Sequence, residues 1–269
     1  MKNENKIRDA VRERYGKIAL AASEVQNGCC TPTKNNQCCS SQEDFDLKSL
    51  KIGYSIEEVK HVPESSNLGL GCGNPQAIAN LRAGEIVVDL GSGAGFDAFL
   101  AARQVGESGK VIGVDMTPAM ISKARKNAEA IDFNNVEFRL GEIENLPVAN
   151  AIADVIISNC VINLSPEKQK VFNEAHRVLK PGGRLAISDV VSLKELPENI
   201  KANMELYGAC ISGASSVNEL TAMMNSAGFE NISIKPKEES REIIKEWDSS
   251  EIFADYVISA SIEAIKPKM

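Results

Sequence analysis

Apolar residues recur along the chain with two different spacings. After about 85 residues, short runs of β-branched and other apolar residues alternate with segments whose apolar residues recur at helical spacing. The predicted strands cover residues 86–90, 110–115, 135–140, 153–158, 184–191, 229–235 and 255–265, and the predicted helices 96–105, 118–130, 166–179, 197–207 and 216–227. Strands that alternate with helices form a parallel sheet covered on both faces. The pattern therefore predicts an α/β fold with a Rossmann-like, doubly wound, seven-stranded and mostly parallel sheet.

The segment before the first predicted strand has a different pattern. Residues 7–22 place apolar side chains among charges at helical spacing and predict an amphipathic helix. The stretch 27–41 has few apolar residues to bury, so it predicts a mobile loop. This loop carries four cysteines, Cys29, Cys30, Cys38 and Cys39. We therefore predict an N-terminal helix and cysteine-bearing flexible loop over residues 1–48, and a main domain over residues 49–269 with a small helical cover around residues 197–227.

Composition narrows the class of protein. With 269 residues and 43% hydrophobic content, the chain is long enough for one sizeable core. No apolar run reaches the roughly 18 residues that cross a bilayer and no secretory signal is recognisable, so we expect a cytoplasmic protein without membrane association. The formal net charge of -7 argues against a nucleic acid partner and favours a small-molecule ligand. Seven cysteines in such a protein favour metal, redox or nucleophilic use over a disulfide framework.

A glycine-rich run follows the first predicted strand. Gly91, Gly93 and Gly95 come directly after Asp89 and Leu90. A dinucleotide-binding turn has the spacing Gly-x-Gly-x-x-Gly, whereas here the third glycine comes one residue early. The acidic side chain of Asp89 would repel a diphosphate but is suited to a cationic amino group. The run therefore predicts a ligand with an amino acid end, and it argues against an NAD-dependent enzyme.

Further polar and apolar side chains stand at the ends of the next predicted strands. Asp115 is placed to accept hydrogen bonds from ribose hydroxyls, and Met116 beside it to pack on a purine. Glu142 and Ile143 follow the third strand, where adenine needs one polar and one apolar contact. Asn159 ends the fourth strand and completes the predicted cofactor site. Because the carboxyl ends of parallel strands meet at one edge of the sheet, these residues are expected to lie together.

Residues 84–191 resemble the class I S-adenosylmethionine-dependent methyltransferases. The resemblance rests on the glycine run, on the residues at the strand ends, and on the run Arg177-Val178-Leu179-Lys180-Pro181-Gly182-Gly183. It implies S-adenosylmethionine as cofactor. It also implies that the slot after the fourth strand, residues 159–164, faces the donated methyl group.

The residues of this slot restrict the methyl acceptor. Oxygen and nitrogen acceptors often need a base to remove a proton, yet the slot contains no base. The chain has two histidines, His61 and His176, and both are predicted to be packing or surface residues. The slot holds a thiol instead, at Cys160. A soft ligand in this position suggests a soft acceptor.

Two other isolated cysteines lie in turn-like surroundings similar to those of Cys160. They are Cys72, within Gly71-Cys72-Gly73, and Cys210, which precedes Ile211-Ser212-Gly213-Ala214. A lone cysteine is usually a buried, unreactive residue, but three in turns favour a shared site. Three thiolates select soft centres, and trivalent arsenic keeps a lone pair after binding three sulfurs. That lone pair can attack a sulfonium methyl group with no proton to remove.

At these three cysteines the sequence resembles the arsenite methyltransferases in their bacterial and archaeal form. The resemblance implies that Cys72, Cys160 and Cys210 bind arsenic and take part in catalysis, and that Cys72 can leave as a disulfide when the metalloid is oxidised. It implies transfer of a methyl group to arsenite and methylarsenite, as arsenic detoxification, with thioredoxin or glutathione as the reductant. Many relatives carry one early cysteine that pairs with Cys72, whereas this chain has four candidates.

Three other interpretations remain open at this stage. The run from Arg177 to Gly183 is also similar to quinone-type C- or O-methyltransferases, which would leave the three cysteines unexplained. A non-catalytic metalloid-binding protein is the second alternative. A zinc site at the four early cysteines is the third, although their spacing lacks the usual Cys-x2-Cys pairs.

Overall fold

A computed structural model describes residues 2–24, 42–131, 133–245 and 255–268. One mixed sheet runs through the centre of the molecule. Its strands are β1 (Ile86–Leu90), β2 (Lys110–Asp115), β3 (Val136–Leu140), β4 (Ala153–Asn159), β5 (Leu179–Ser192), β6 (Ser215–Ser216), β7 (Glu230–Pro236) and β8 (Val257–Ile265). The helices are α1 (Lys2–Glu24), α2 (Gln42–Lys51), α3 (Ile56–Lys60), α4 (Gln76–Ala79), α5 (Phe96–Val105), α6 (Pro118–Ala130), α7 (Lys168–Val178), α8 (Glu198–Lys201), α9 (Met204–Gly208), α10 (Val217–Ser226) and α11 (Ser240–Lys245).

The strand order across the sheet is β3-β2-β1-β4-β5-β8-β7. Neighbours from β3 to β5 are parallel, whereas β8 runs antiparallel to both β5 and β7. The two-residue strand β6 pairs separately with β5. Because the order reverses between β1 and β4, the carboxyl ends of these two strands form a crevice, where sheets of this kind bind ligands.

Burial on both faces explains the apolar runs of the central strands. Val87 and Val88 of β1 point to opposite faces, and neither is exposed to solvent. On one face Phe99 of α5 packs in the core, and on the other Phe172 of α7 does so. Each buried aromatic ring contributes about 2–3 kcal/mol of hydrophobic free energy. The two cores therefore hold the sheet between two layers of helices and fix the crevice between β1 and β4.

Most predicted elements begin and end within two residues of the observed ones, and two of the departures have clear causes. The predicted helix 197–207 is divided into α8 and α9, because the Asn203 side chain accepts hydrogen bonds from the amides of Glu205 and Leu206 and so starts a new helix. Strand β5 begins before its predicted start, where Leu179 already pairs with Ala153. The short helices α2 and α11 were not predicted.

Helix α1 extends the predicted helix 7–22 at both ends and packs against α6 and α9. The guanidinium group of Arg8 forms salt bridges with three carboxylates, those of Glu142, Glu144 and Glu167. The predicted loop with the four early cysteines lies outside the described residues, and the division into residues 1–48 and 49–269 stays a prediction. Within the described residues no helix is long and apolar enough to span a membrane.

Candidate functional site

A deep cavity opens at the carboxyl ends of β1, β2 and β4. It encloses about 1080 Å³, including its open mouth, and is bounded on one side by α1 through Arg8, Val11 and Tyr15. Seven of the nine residues predicted to bind the cofactor line it, namely Asp89, Gly91, Gly93, Asp115, Met116, Ile143 and Asn159. A cavity of this size suits a nucleoside-containing ligand. The contribution of α1 was not predicted from the sequence.

The two remaining predicted residues lie beside the cavity wall rather than in it. Gly95 begins α5 with a φ of 100°, and a Cβ atom there would come within 2.8 Å of the rings of Phe99 and Phe138. Gly95 therefore permits close packing behind the loop. The carboxylate of Glu142 forms a salt bridge with Arg12 at 3.2 Å and a longer one with Arg8, so it holds α1 in place.

The glycine loop approaches the acceptor slot closely. Gly91 has a φ of 68°, and a Cβ atom there would lie 2.3 Å from Cγ2 of Val161, the residue after Cys160. Gly93 has a φ of 52° and donates its amide to the Asp115 carboxylate at 3.0 Å. Glycine adopts such positive φ angles without steric cost. The loop thus brings the predicted donor site and the acceptor slot into contact.

Asp89 is a buried carboxylate with an unsatisfied oxygen. Its exposed fraction is 2%, and its Oδ2 atom has no hydrogen-bond partner within the described structure. Burial raises the pKa of Asp89 well above its usual range, and the nearby carboxylates of Asp97 and Asp115 raise it further. A buried acceptor without a partner is costly unless a ligand supplies a donor. Asp89 therefore fits a cationic amino group in the cavity.

Asp115 is held by two backbone amides. The amide of Thr117 donates to its Oδ1 at 2.7 Å, and the amide of Gly93 donates to its Oδ2. Burial raises the pKa of Asp115, while these hydrogen bonds oppose the increase. Because Asp115 also lines the cavity, its free lone pairs are available to ligand hydroxyl groups.

Asn159 connects the end of β4 to the segment that carries Cys72. Its Oδ1 atom accepts a hydrogen bond from the Cys72 amide at 3.1 Å, and its Nδ2 atom donates to the Gly73 carbonyl at 2.8 Å. The same Nδ2 donates to the hydroxyl group of Tyr54, which in turn donates to Asp97. Asn159 therefore fixes the position of Cys72 relative to the cavity.

The three cysteines that were predicted to share a site come together at the carboxyl end of β4. Cys72 and Cys160 form a disulfide with a Cα–Cα distance of 5.8 Å, although 88 residues separate them in the sequence. The Cys210 thiol donates to the carbonyl oxygen of Cys160, with a distance of 2.9 Å between sulfur and oxygen. The early cysteines that the resemblance offered as partners of Cys72 lie outside the described residues, and within the described structure Cys72 pairs with Cys160.

Cys160 and Cys210 share an unusual backbone conformation. Their φ angles are 56° and 63°, in the left-handed region, which costs a residue with a Cβ atom about 1–2 kcal/mol. Non-glycine residues in the left-handed conformation cluster at functional sites. All three sulfurs are nearly inaccessible to solvent, and burial, followed by the charge of Asp189, raises the pKa of Cys210 well above its usual value. The structure therefore maintains these cysteines at some cost in stability.

A carboxylate that the sequence analysis missed lies beside the thiols. Asp189 lies on β5, and one of its carboxylate oxygens is within 4.8 Å of the sulfur atoms of both Cys72 and Cys160. Burial raises the pKa of Asp189 to about 6, against the opposing effect of hydrogen bonds from the amides of Val190 and Ile162. The slot 159–164 contains no base, as its sequence indicates, but the neighbouring strand supplies a carboxylate. The one available signal is an acidic residue within the apolar run 185–191.

A second cavity reaches the cysteines from another side. Its lining includes Cys160, Cys210 and the basic residues Arg14, Lys48 and Lys51. Cys160 also lines the first cavity. This cysteine therefore stands in the wall between the two cavities.

Comparison with known proteins identifies the family. A model of the methyltransferase domain family matches residues 81–228. The arsenite methyltransferase of Halobacterium salinarum is 50% identical over 260 residues, which cover 97% of this chain and 66% of that protein. The crystal structure of an arsenic(III) S-adenosylmethionine methyltransferase from Chlamydomonas reinhardtii superposes with a TM-score of 0.59 at 33% identity, covering 83% of this chain and 74% of that one. The chain belongs to the arsenite methyltransferase family.

Membership of the arsenite methyltransferase family confirms the predictions of the fold, of the family and of S-adenosylmethionine as cofactor. The human arsenite methyltransferase is 35% identical over 233 residues, which cover 58% of its length. The chain thus spans 58% to 66% of the length of these curated relatives.

Proposed function

We propose that this protein transfers a methyl group from S-adenosylmethionine to thiol-bound trivalent arsenic, accepting both arsenite and methylarsenite, and so detoxifies arsenic. The observation that carries the proposal is the meeting of Cys72, Cys160 and Cys210 beside a cavity that suits the donor. The names of the related proteins support the same activity.

The donor side of the proposal assigns each cavity residue a contact. Asp89 receives the cationic amino group, because its buried Oδ2 atom otherwise lacks a partner. Asp115 accepts hydrogen bonds from the ribose hydroxyls, while Met116 and Ile143 pack on the purine. When bound, S-adenosylmethionine supplies an electrophilic methyl group. Held at the strand ends, these residues orient the donor toward the slot that contains Cys160, and such preorganisation contributes much of an enzyme's rate.

On the acceptor side, the three thiols bind arsenic and direct its lone pair toward the donor cavity. Sulfur ligands are well matched to a soft centre, and no proton has to leave the acceptor during transfer. Binding requires that the disulfide between Cys72 and Cys160 be reduced. We therefore include thioredoxin or glutathione as the partner that restores the thiols. A cytoplasmic location, where such reductants keep thiols free, belongs to the same proposal.

The direct test is incubation of the purified protein with arsenite, a reductant and S-adenosylmethionine that carries a labelled methyl group. Labelled methylarsenicals, separated by chromatography, are the expected product. Reactions without arsenite and without protein serve as controls. A protein that binds the donor but leaves arsenic unlabelled would contradict the proposal.

Replacing Asp89 with asparagine is expected to weaken binding of S-adenosylmethionine. A hydrogen bond to a charged group contributes about 1.5–3 kcal/mol, which corresponds to about 10- to 100-fold in affinity. Titration calorimetry measures the change. Asp154→Asn is the control, because Asp154 pairs with Lys180 away from the cavity. Equal affinities for the two variants would refute the contact.

The same carboxylate is expected to couple donor binding to proton release. Burial raises the pKa of Asp89 and so favours its protonated form, whereas an ammonium group favours the ionised form. Donor affinity should therefore fall as the pH is lowered. Calorimetry in two buffers of different ionisation enthalpy counts the released protons, and Asp89→Asn should release fewer.

A further inference from the structure

Among the histidine, cysteine and acidic side chains of the described residues, only that of Asp189 forms a compact cluster with the sulfurs of Cys72 and Cys160. Its exposed fraction is 1%, and none of the salt bridges between described residues involves it. Its Oδ2 atom accepts from the Ile162 amide at 2.8 Å, and its Oδ1 atom from Asn163 Nδ2 at 2.9 Å. These donors fix the direction in which the carboxylate faces.

Hydrogen bonding alone does not account for a charge at this position. A neutral oxygen can accept the same backbone and amide donors, whereas burying a carboxylate without a cation is costly. Nor is the carboxylate suited to bind arsenic directly, because its oxygen is a hard ligand beside soft sulfurs. Burial raises the pKa of Asp189, and the charge of Lys168 opposes this increase without forming a salt bridge. The negative charge itself therefore requires an explanation.

Methyl transfer moves a positive charge into this cluster. The lone pair of arsenic forms the As–C bond while the C–S bond of the sulfonium breaks, and the electrons of that bond remain on the donor sulfur. Sulfur becomes neutral, and arsenic, bound to three thiolates and a methyl group, becomes cationic. No proton and no further reactant takes part in this step.

We propose that the Asp189 carboxylate stabilises the positive charge that develops on arsenic as the methyl group arrives. This inference rests on the proposed function and gives the same site a fourth participant. A fixed charge directed at the place where charge develops lowers the barrier without reorganisation during the reaction. Because arsenic bound to three thiolates is neutral before transfer, Asp189 acts on the rate far more than on arsenite binding.

The test compares Asp189→Asn with Asp154→Asn. The first variant removes the carboxylate beside the sulfurs, whereas the second removes a carboxylate that pairs with Lys180 and lines neither cavity. The rate of a single methyl transfer is measured with dithiothreitol present, and dissociation constants for arsenite and S-adenosylmethionine are measured separately. For Asp189→Asn we expect a rate about 100- to 1000-fold lower, with both dissociation constants within about twofold of the wild type. Asp154→Asn should retain most of the rate.

Three results would overturn the inference. They are a rate for Asp189→Asn within about threefold of wild type, an equal loss of rate in Asp154→Asn, or a loss of arsenite binding that accompanies the loss of rate. An equal loss in Asp154→Asn would make the effect a general one, and a loss of arsenite binding would assign Asp189 a structural role. If Asp189→Asn does not fold, Asp189→Ser repeats the measurement with a smaller neutral side chain. A wild-type protein that binds arsenite and donor but methylates nothing would instead refute the proposed function, and the inference with it.

Discussion

Replacing either Cys160 or Cys210 with serine is expected to abolish arsenic methylation, including the methylation of methylarsenite. A hydroxyl oxygen is a hard, weakly nucleophilic ligand for trivalent arsenic, so each variant loses one of the sulfurs that hold the acceptor. Serine is similar in size to cysteine and both positions are buried, so the fold should be retained. The measurements are product formation from each substrate and the amount of arsenic bound per protein after gel filtration.

Cys72→Ser is expected to differ from the Cys160 and Cys210 variants in its activity on methylarsenite. Methylarsenite has two exchangeable positions and needs only two thiols, so this variant is expected to lose activity on arsenite and to keep activity on methylarsenite. It also removes the disulfide partner of Cys160, which leaves that thiol free. Equal activity of all three variants would contradict the assigned roles. Unfolding of each variant is followed in parallel, to exclude a general loss of structure.

Gly91→Ala is expected to remove both donor and arsenic binding. The added Cβ would lie 2.3 Å from one methyl group of Val161 and 2.6 Å from the other, so the residue after Cys160 has to move. The left-handed φ adds about 1–2 kcal/mol and the overpacking about 1–3 kcal/mol, giving a loss of about 2–5 kcal/mol in the free energy of unfolding. Denaturant unfolding, calorimetry with the donor and arsenic stoichiometry measure the three effects.

Gly84→Ala is the control for Gly91→Ala, because it separates the effect of a positive φ angle from that of the clash with Val161. Gly84 has a φ of 84°, and its added Cβ would meet only Ser108 Oγ, at 3.6 Å, far from the site. This variant should lose stability through its φ angle alone and should bind donor and arsenic normally. If Gly91→Ala behaved in the same way as Gly84→Ala, the contact between loop and slot would have no functional effect.

The sequence was sufficient for features that depend on local spacing. The apolar run of β1 and the helical spacing of α5 predict both elements at their observed bounds, because burial on the sheet follows directly from residue order. The glycine run and Asp115 could be placed at one edge for the same reason. Residues at the ends of parallel strands meet whatever the details of packing.

Other features depend on contacts between distant parts of the chain. The carboxylate of Glu142 forms salt bridges with two arginines of α1, and these contacts could not be predicted because nothing in residue order says where α1 lies. The apolar pattern predicts Asp189 only as a residue of the buried strand 184–191. Asp189 reaches the sulfur of Cys160 only because β5 pairs with β4, so that Ser188 stands opposite Asn159. The register between β4 and β5 therefore sets the distance between Asp189 and Cys160.

The position of Cys160 in the wall between two cavities has a kinetic consequence. On the proposed function, the donor occupies one cavity while arsenic reaches the thiols through the other, so the two ligands need not pass each other. The spent donor can leave and be replaced while arsenic stays on its sulfurs. Exchange of the donor and release of arsenic are then separate steps, each with its own rate constant.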